Sequence, residues 1–389
     1  LKPNRGSAPN LLNITVEVKE KSTGTFQVGA GLSSVEPFIA NAQISQDNFL
    51  GNGQLVSLQA LLSIGEFGRQ QANLQFYEPY LFDSRWSLGL NAYITQRLFR
   101  DFQRNSSGFA PNFGYSITPD LRLSAGYTLE WIKISTDFFD SNQGIALENL
   151  NLQGRNSALN FSVSYDTRNN RLFPSSGQYH VLSFEVADPL IYSDKDLRYQ
   201  RYQIALRYYR PVIASLVLKL NASLGLITGG DDKGVPISER YFPGGIYSVR
   251  GFEPRGLGPT VAALQAGDPF SPSQRFTVGG DKEAIFNVEL EFPILEPAGI
   301  KGVLFADAGN AYASSESLFY LGQKTRPKAY LMRSYRPVEP PLGLYYSLGF
   351  GIRWHGPMGP MRFEWGIPIT KRDPKDKDIV FELTIGNFF

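Results

Sequence analysis

Apolar and polar residues alternate one by one along most of this chain, and a period of two restricts it to a protein built from long β-strands. From Leu121 to Trp131 the apolar set is Leu121, Leu123, Ala125, Tyr127, Leu129 and Trp131; between them stand Arg122, Ser124, Gly126, Thr128 and Glu130. Successive side chains of a strand point to opposite faces, so such a segment has one greasy face and one wet face. The same alternation runs through Trp86, Leu88, Leu90, Ala92 and Ile94, and through Leu216, Leu218, Leu220, Ala222, Leu224 and Leu226. It returns in Ala284, Phe286, Val288, Leu290 and Phe292. The pattern predicts about sixteen strands, from 24–33 and 36–47 at one end to 359–370 and 378–389 at the other.

Most of these segments reach the ~9–11 residues that cross a bilayer when tilted, whereas strands of a soluble sandwich centre on ~5–6. No stretch approaches the ~18 consecutive apolar residues of a membrane helix. The mean hydropathy of −0.21 is what alternating strands average to. Aromatic residues make up 13% of the chain, enough to furnish girdles at two bilayer interfaces. Connections such as Thr118-Pro119-Asp120 and Glu296-Pro297 are tight, while 136–155, 229–280 and 309–342 are long. Tight turns at one end and long loops at the other form the outer-membrane pattern. The expected fold is all-β: a transmembrane antiparallel β-barrel of about 16 strands over residues 24–389, in the bacterial outer membrane with both termini periplasmic. Beyond Trp131 the parity reverses at Ile132 and Ile134, which reads as a bulge or as the strand leaving the bilayer. Residues 1–23 stand apart, with a short strand through Ile14, Val16 and Val18 and a polar hinge, Glu20-Lys21-Ser22-Thr23. They are expected to be the tail of a truncated periplasmic domain.

Charge and residue chemistry exclude several classes. Lys plus Arg (38) nearly balances Asp plus Glu (36), so there is no basic footprint for nucleic acid. Cysteine is absent, which removes disulfides and cysteine-based metal or redox sites; no metal or cofactor is expected. Of the two histidines, His180 shares a lipid-facing side with Leu182 and Phe184, and His355 falls in a tight turn. A Ser–His pair for hydrolysis is therefore lacking, and no enzymatic activity is expected.

The longest loop carries Tyr241-Phe242-Pro243-Gly244-Gly245-Ile246-Tyr247-Ser248-Val249-Arg250-Gly251-Phe252. Before it come Asn48-Phe49-Leu50-Gly51, Asp166-Thr167-Arg168-Asn169 and Phe173-Pro174-Ser175-Ser176-Gly177. After it come Phe305-Ala306-Asp307-Ala308-Gly309, Gly356-Pro357-Met358-Gly359-Pro360 and the end from Phe381 to Phe389. Each motif is weak alone, but the ordered set, over nearly the whole chain, resembles the BamA-like superfamily of outer-membrane barrel assembly proteins. The resemblance implies that the long loop, sixth on the extracellular side, folds into the lumen. There the arginine of Val249-Arg250-Gly251-Phe252 would pair with wall carboxylates. Glu289, on the polar face of the twelfth strand with Glu291, and Asp307, at the end of the thirteenth, are the candidates. A planar guanidinium takes carboxylate oxygens two at a time, which holds a loop in register. Asp307 shares its face with Val303 and Phe305, so the inward surface there is less polar and suits packing beneath the loop.

The resemblance further implies that residues 1–23 end a POTRA domain, and that the barrel assembles and inserts other β-barrels. Its partners would be unfolded outer-membrane barrel clients, membrane lipids and periplasmic accessory lipoproteins. A polypeptide secretion pore of the same superfamily and a passive porin are the alternatives. The working element would be the seam between first and last strands. The first strand carries Gly24, Gly29 and Gly31 within eight residues, which weakens its packing and register. The last strand alternates Phe381, Leu383, Ile385 and Phe389 outward, with Gly386 placed to bend the terminal residues inward. Phe26, Gln27, Gly29 and Gly31 would meet Thr384, Gly386 and Phe389 there, Gln27 facing Thr384. Either the glycines let this seam open and template an incoming strand, or they accommodate barrel curvature.

Overall fold

The computed structural model describes residues 2–8, 10–17, 22–65, 67–99, 102–135, 153–213, 215–229, 234–265, 268–320, 340–356, 359–372 and 376–386. Two short strands, β1 (Lys2–Arg5) and β2 (Leu12–Thr15), pair with each other outside the barrel. The first half of the barrel wall is β3 (Gly24–Ser33), β4 (Phe38–Phe49), β5 (Gln54–Ile64), β6 (Arg69–Glu78), β7 (Trp86–Phe99), β8 (Phe102–Ser116), β9 (Leu121–Ser135) and β10 (Gly154–Asp166). It continues through β11 (Gly177–Ala187), β12 (Tyr199–Ile213) and β13 (Leu216–Gly229). A hairpin, β14 (Thr260–Gln265) and β15 (Asp268–Thr277), then interrupts the order from within the long loop. The wall resumes with β16 (Lys282–Leu295), β17 (Ile300–Tyr312), β18 (Tyr345–Gly356), β19 (Gly359–Pro368) and β20 (Val380–Ile385). These sixteen strands close into one antiparallel barrel in which sequence neighbours are spatial neighbours.

Alternation decides the two faces. On β5, Leu58 is 51% exposed toward the lipid side, and Ser57, Leu61 and Ser63, of opposite parity, are buried. The parity change beyond Trp131 is not a bulge. β9 stays in continuous register with β10 up to Ile132, opposite Gly154, and with β8 up to Ser135, opposite Gln103. Trp131 still points outward at 53% exposure, while Ile132 and Ile134 keep the inward parity. They pack there with Phe102, Leu197 and Ile237, and Ile237 comes from the long loop. The inner face turns apolar because something apolar covers it. A second small correction concerns His355, which lies within β18 opposite Pro360 rather than in the turn.

The seam closes differently from the expected pairing of Gln27 with Thr384. β20 meets β3 through Thr384 opposite Ser33 and Ile385 opposite Leu32, extended by a hydrogen bond from Ser34 N to Leu383 O at 2.8 Å. By contrast β3 pairs with β4 from Gly24 opposite Gln46 to Gly31 opposite Ile39. The reason is the shortness of β20. Gly386, with φ of +104°, leaves strand geometry one residue after the last pair, a conformation that side chains with a Cβ resist. Gln27 consequently has no partner on β20 among the described residues, and Phe26 and Val28 beside it are exposed. Phe389, Glu20 and Lys21, and Pro357 and Met358 of the turn motif, lie outside the described residues.

Candidate functional site

The loop between β13 and β16 folds on itself before it meets the wall. Gly244 N donates to Ser248 Oγ at 2.7 Å, Gly245 N to Val249 O at 3.1 Å, and Leu257 N to Pro243 O at 3.0 Å. This knot exposes an apolar side, Val249, Phe252 and Leu257, that packs on Ile285 of β16, with the Phe252 ring edge-on to Tyr345 at 5.8 Å. Asn287 Nδ2 of β16 donates to Ser248 O at 2.7 Å and fixes the loop's height.

Arg250 is thereby delivered into the lumen at 2% exposure. Its Nε and Nη2 donate to Asp307 Oδ2 and Oδ1, both at 2.7 Å, and its backbone N donates to Oδ2 at 3.0 Å. Nη1 reaches Glu289 Oε1 at 2.6 Å and Glu364 Oε2 at 3.1 Å. The guanidinium carbon stands 3.6 Å from the centre of the Phe305 ring, so the apolar residue beside Asp307 is a platform for the cation. Both carboxylates proposed from the sequence thus meet Arg250, whereas Glu291 takes Lys219 (2.7 Å) and Lys301 (2.9 Å) instead.

Further charges extend the arrangement. Arg353 of β18 donates to Glu289 and to Glu364, each at 2.9 Å, and Arg362 of β19 donates to Glu364 at 2.9 Å and 3.0 Å. Buried carboxylates persist only when paired and hydrogen-bonded; here Glu289 and Glu364 are shared between cations, and Asp307 is gripped by Arg250. Gly251, at φ of +85°, lies backbone to backbone against Gly366 of β19; a Cβ on either would strike the other. Gly251 N also points at Glu382 Oε2 of β20, at 3.4 Å, so the motif touches both of the last two strands.

Glu364, Arg353, Arg362, Gly366 and Glu382 were not singled out from the sequence. Parity carried the signal for three of them: Arg362, Glu364 and Gly366 alternate with Phe363, Trp365 and Ile367, as Glu289 does with Val288 and Leu290. Of the expected seam residues, the structure brings Thr384 to Ser33 and sets Gly386 against Ala30 and Gly31, and among the described residues Phe26, Gln27 and Gly29 pair with β4 alone. Among the described residues no cluster of acidic and histidine side chains could hold a metal ion.

A closed sixteen-strand barrel with a greasy exterior, its lumen braced by a loop through arginine–carboxylate pairs, is a transmembrane barrel of the outer-membrane kind. Residues 48–389 match the Omp85 superfamily domain, and the chain belongs to that superfamily. It is 27% identical, over 97% of its length, to the outer membrane protein assembly factor BamA of Nitratidesulfovibrio vulgaris. To the protein of that name from Neisseria meningitidis serogroup B it is 24% identical over 98% of its length. The chain spans less than half the length of these relatives, 43% and 49%. Among solved structures, BamA from Haemophilus ducreyi lacking POTRA domains 1–3 superposes with a TM-score of 0.76 at 22% identity, over 94% of this chain and 70% of that one. CdiB from Acinetobacter baumannii gives 0.60 at 15% identity, over 95% and 60%. Those two likenesses concern the fold.

Proposed function

We propose that this barrel assembles and inserts client β-barrels into the outer membrane, through an openable seam between β3 and β20 and without catalytic chemistry. The observation that carries the reading is the asymmetry of β3, which among the described residues is paired along Gly24–Gly31 with β4 and joined to β20 only at its far end. In lipid an unsatisfied backbone group costs several kcal/mol, so the free edge is an acceptor for a strand with the same need. An unfolded outer-membrane barrel segment is such a strand, and β-augmentation is the mode of capture. Relatives named as outer membrane protein assembly factors support the reading. The ion pairs of Arg250 run to β16, β17 and β19, on the β20 side of the seam. In this reading both chain ends face the periplasm, hairpin β1–β2 belongs to the end of a POTRA domain, and accessory lipoproteins dock on that side. Lipids meet the outward apolar belt.

The test is a covalent lock. Ser33→Cys with Thr384→Cys joins facing residues in a chain that has no native cysteine. In full-length protein in vesicles, the oxidised lock stops client insertion and reduction restores it. A verified crosslink with insertion at the parental rate overturns the seam mechanism. A locked barrel that still passes unfolded polypeptide through its lumen favours the secretion pore.

A further inference from the structure

We propose that the long loop is a strap fixed at both ends, and that Glu239 is its second anchor, with charges reversed relative to Arg250. Glu239 ends a single 3-10 turn, Ile237–Glu239, and is 9% exposed. Its Oε2 accepts from Arg201 Nη2 at 2.6 Å, and the same nitrogen donates to its backbone O at 3.1 Å. Its Oε1 lies 3.5 Å from Arg104 Nη2. Arg201, on β12, also holds Glu185 of β11 at 3.0 Å, and Arg104, on β8, holds Glu130 of β9 at 2.8 Å. A loop carboxylate thus enters wall arginines on β8 and β12, while a loop arginine enters wall carboxylates on β16, β17 and β19.

The two anchors also differ in depth. Ile227 of β13 is opposite Arg201, and Lys219 of the same strand is opposite Glu289 on its other side. Those positions are eight residues apart (227 − 219), roughly 27 Å of strand. Between the anchors Tyr241 and Gly280 exchange backbone hydrogen bonds of 2.8 and 3.0 Å. Ile237, two residues before Glu239, fills the apolar patch of Phe102, Ile132 and Ile134. Opposite charges at the two ends permit one orientation, since exchanging them would set like charges together. Each seated end keeps the other at high effective concentration against its wall, so Glu239 positions Val249–Phe252 although it touches none of them. The argument concerns the loop and holds whatever the barrel acts on.

Ile246 lies between the anchors and is 3% exposed, and the parent chain has no cysteine, so Ile246→Cys reports lifting of the strap by its reaction with a water-soluble maleimide. In full-length protein, Glu239→Gln should speed labelling about tenfold or more, while a heat-shifted gel mobility shows that the barrel remains closed. Glu185→Gln removes a partner of Arg201 that lies off the loop and should stay within about twofold of the parent. Glu239→Asp keeps the charge on a shorter side chain and should retain most of the protection, whereas the equally shaped but neutral Glu239→Gln loses it, a difference that simple space-filling at this position would not give. Arg104→Gln is the milder second variant and should label at an intermediate rate. Labelling of the Glu239→Gln and Arg104→Gln proteins at the parental rate, or of Glu239→Asp as fast as Glu239→Gln, overturns the proposal.

Discussion

Arg250 spends its donors on three carboxylates from three strands, and its ring platform on Phe305. Arg250→Lys keeps the charge but cannot grip Asp307 with two nitrogens, and should cost about 1.5–3 kcal/mol in urea unfolding from vesicles. Arg250→Ala leaves Asp307, Glu289 and Glu364 buried with one fewer cation and should cost about 3–5 kcal/mol. Arg171→Ala, at an exposed arginine whose nearest carboxylate is 3.6 Å away, is the control, with a loss below about 1 kcal/mol. If all three lose the same amount, the cluster does not anchor the loop. Asp307 and Glu289 were legible because strand parity turns them inward and the loop motif asks for carboxylates. Glu364 obeys the same parity, but its height relative to the loop depends on the stagger of the closed barrel, which no local pattern encodes.

At the scale of elements, parity makes a sharp comparison between adjacent residues. Leu58→Arg puts a charge against lipid and should cost about 2–4 kcal/mol if it sits near the midplane, while Gln59→Arg faces the lumen and should cost less than about 1 kcal/mol. Equal losses would mean the faces are assigned the wrong way round. Ile132 breaks the polar rule of the lumen, so Ile132→Ala should lose about 2–4 kcal/mol, as a packed core residue does. A neutral outcome would mean that the loop does not pack on it. The boundaries of β3 agree with the alternation residue for residue, because burial on one face forces a strict period. The end of β20 was marked in the sequence only by Gly386: alternation runs through Phe381, Leu383 and Ile385, and the positive φ of Gly386 follows the last strand residue.

For the whole molecule, the weak join should appear without any client present. Backbone amides of Gln27 to Ala30 should exchange with deuterium faster than those of Ala40 to Ile44 on β4, which has a full partner on each side. Comparable protection of the two strands would mean that a further segment covers the β3 edge and that the seam is closed along its length.

What the sequence determined by itself is the local part of this protein. The period of two and the punctuation by turns specify long strands, their inward faces and their order, because a bilayer leaves the backbone few other solutions. It also marks the loop motif and two of its partners. Only closure into a barrel decided the rest: which rung of β20 meets β3, which of the inward charges surround Arg250, and why Ile132 and Ile134 point into a lumen. Those facts depend on stagger and on a loop that returns to strands far away in the chain, so residues distant in sequence come to share one height, and no window of neighbouring residues records that height.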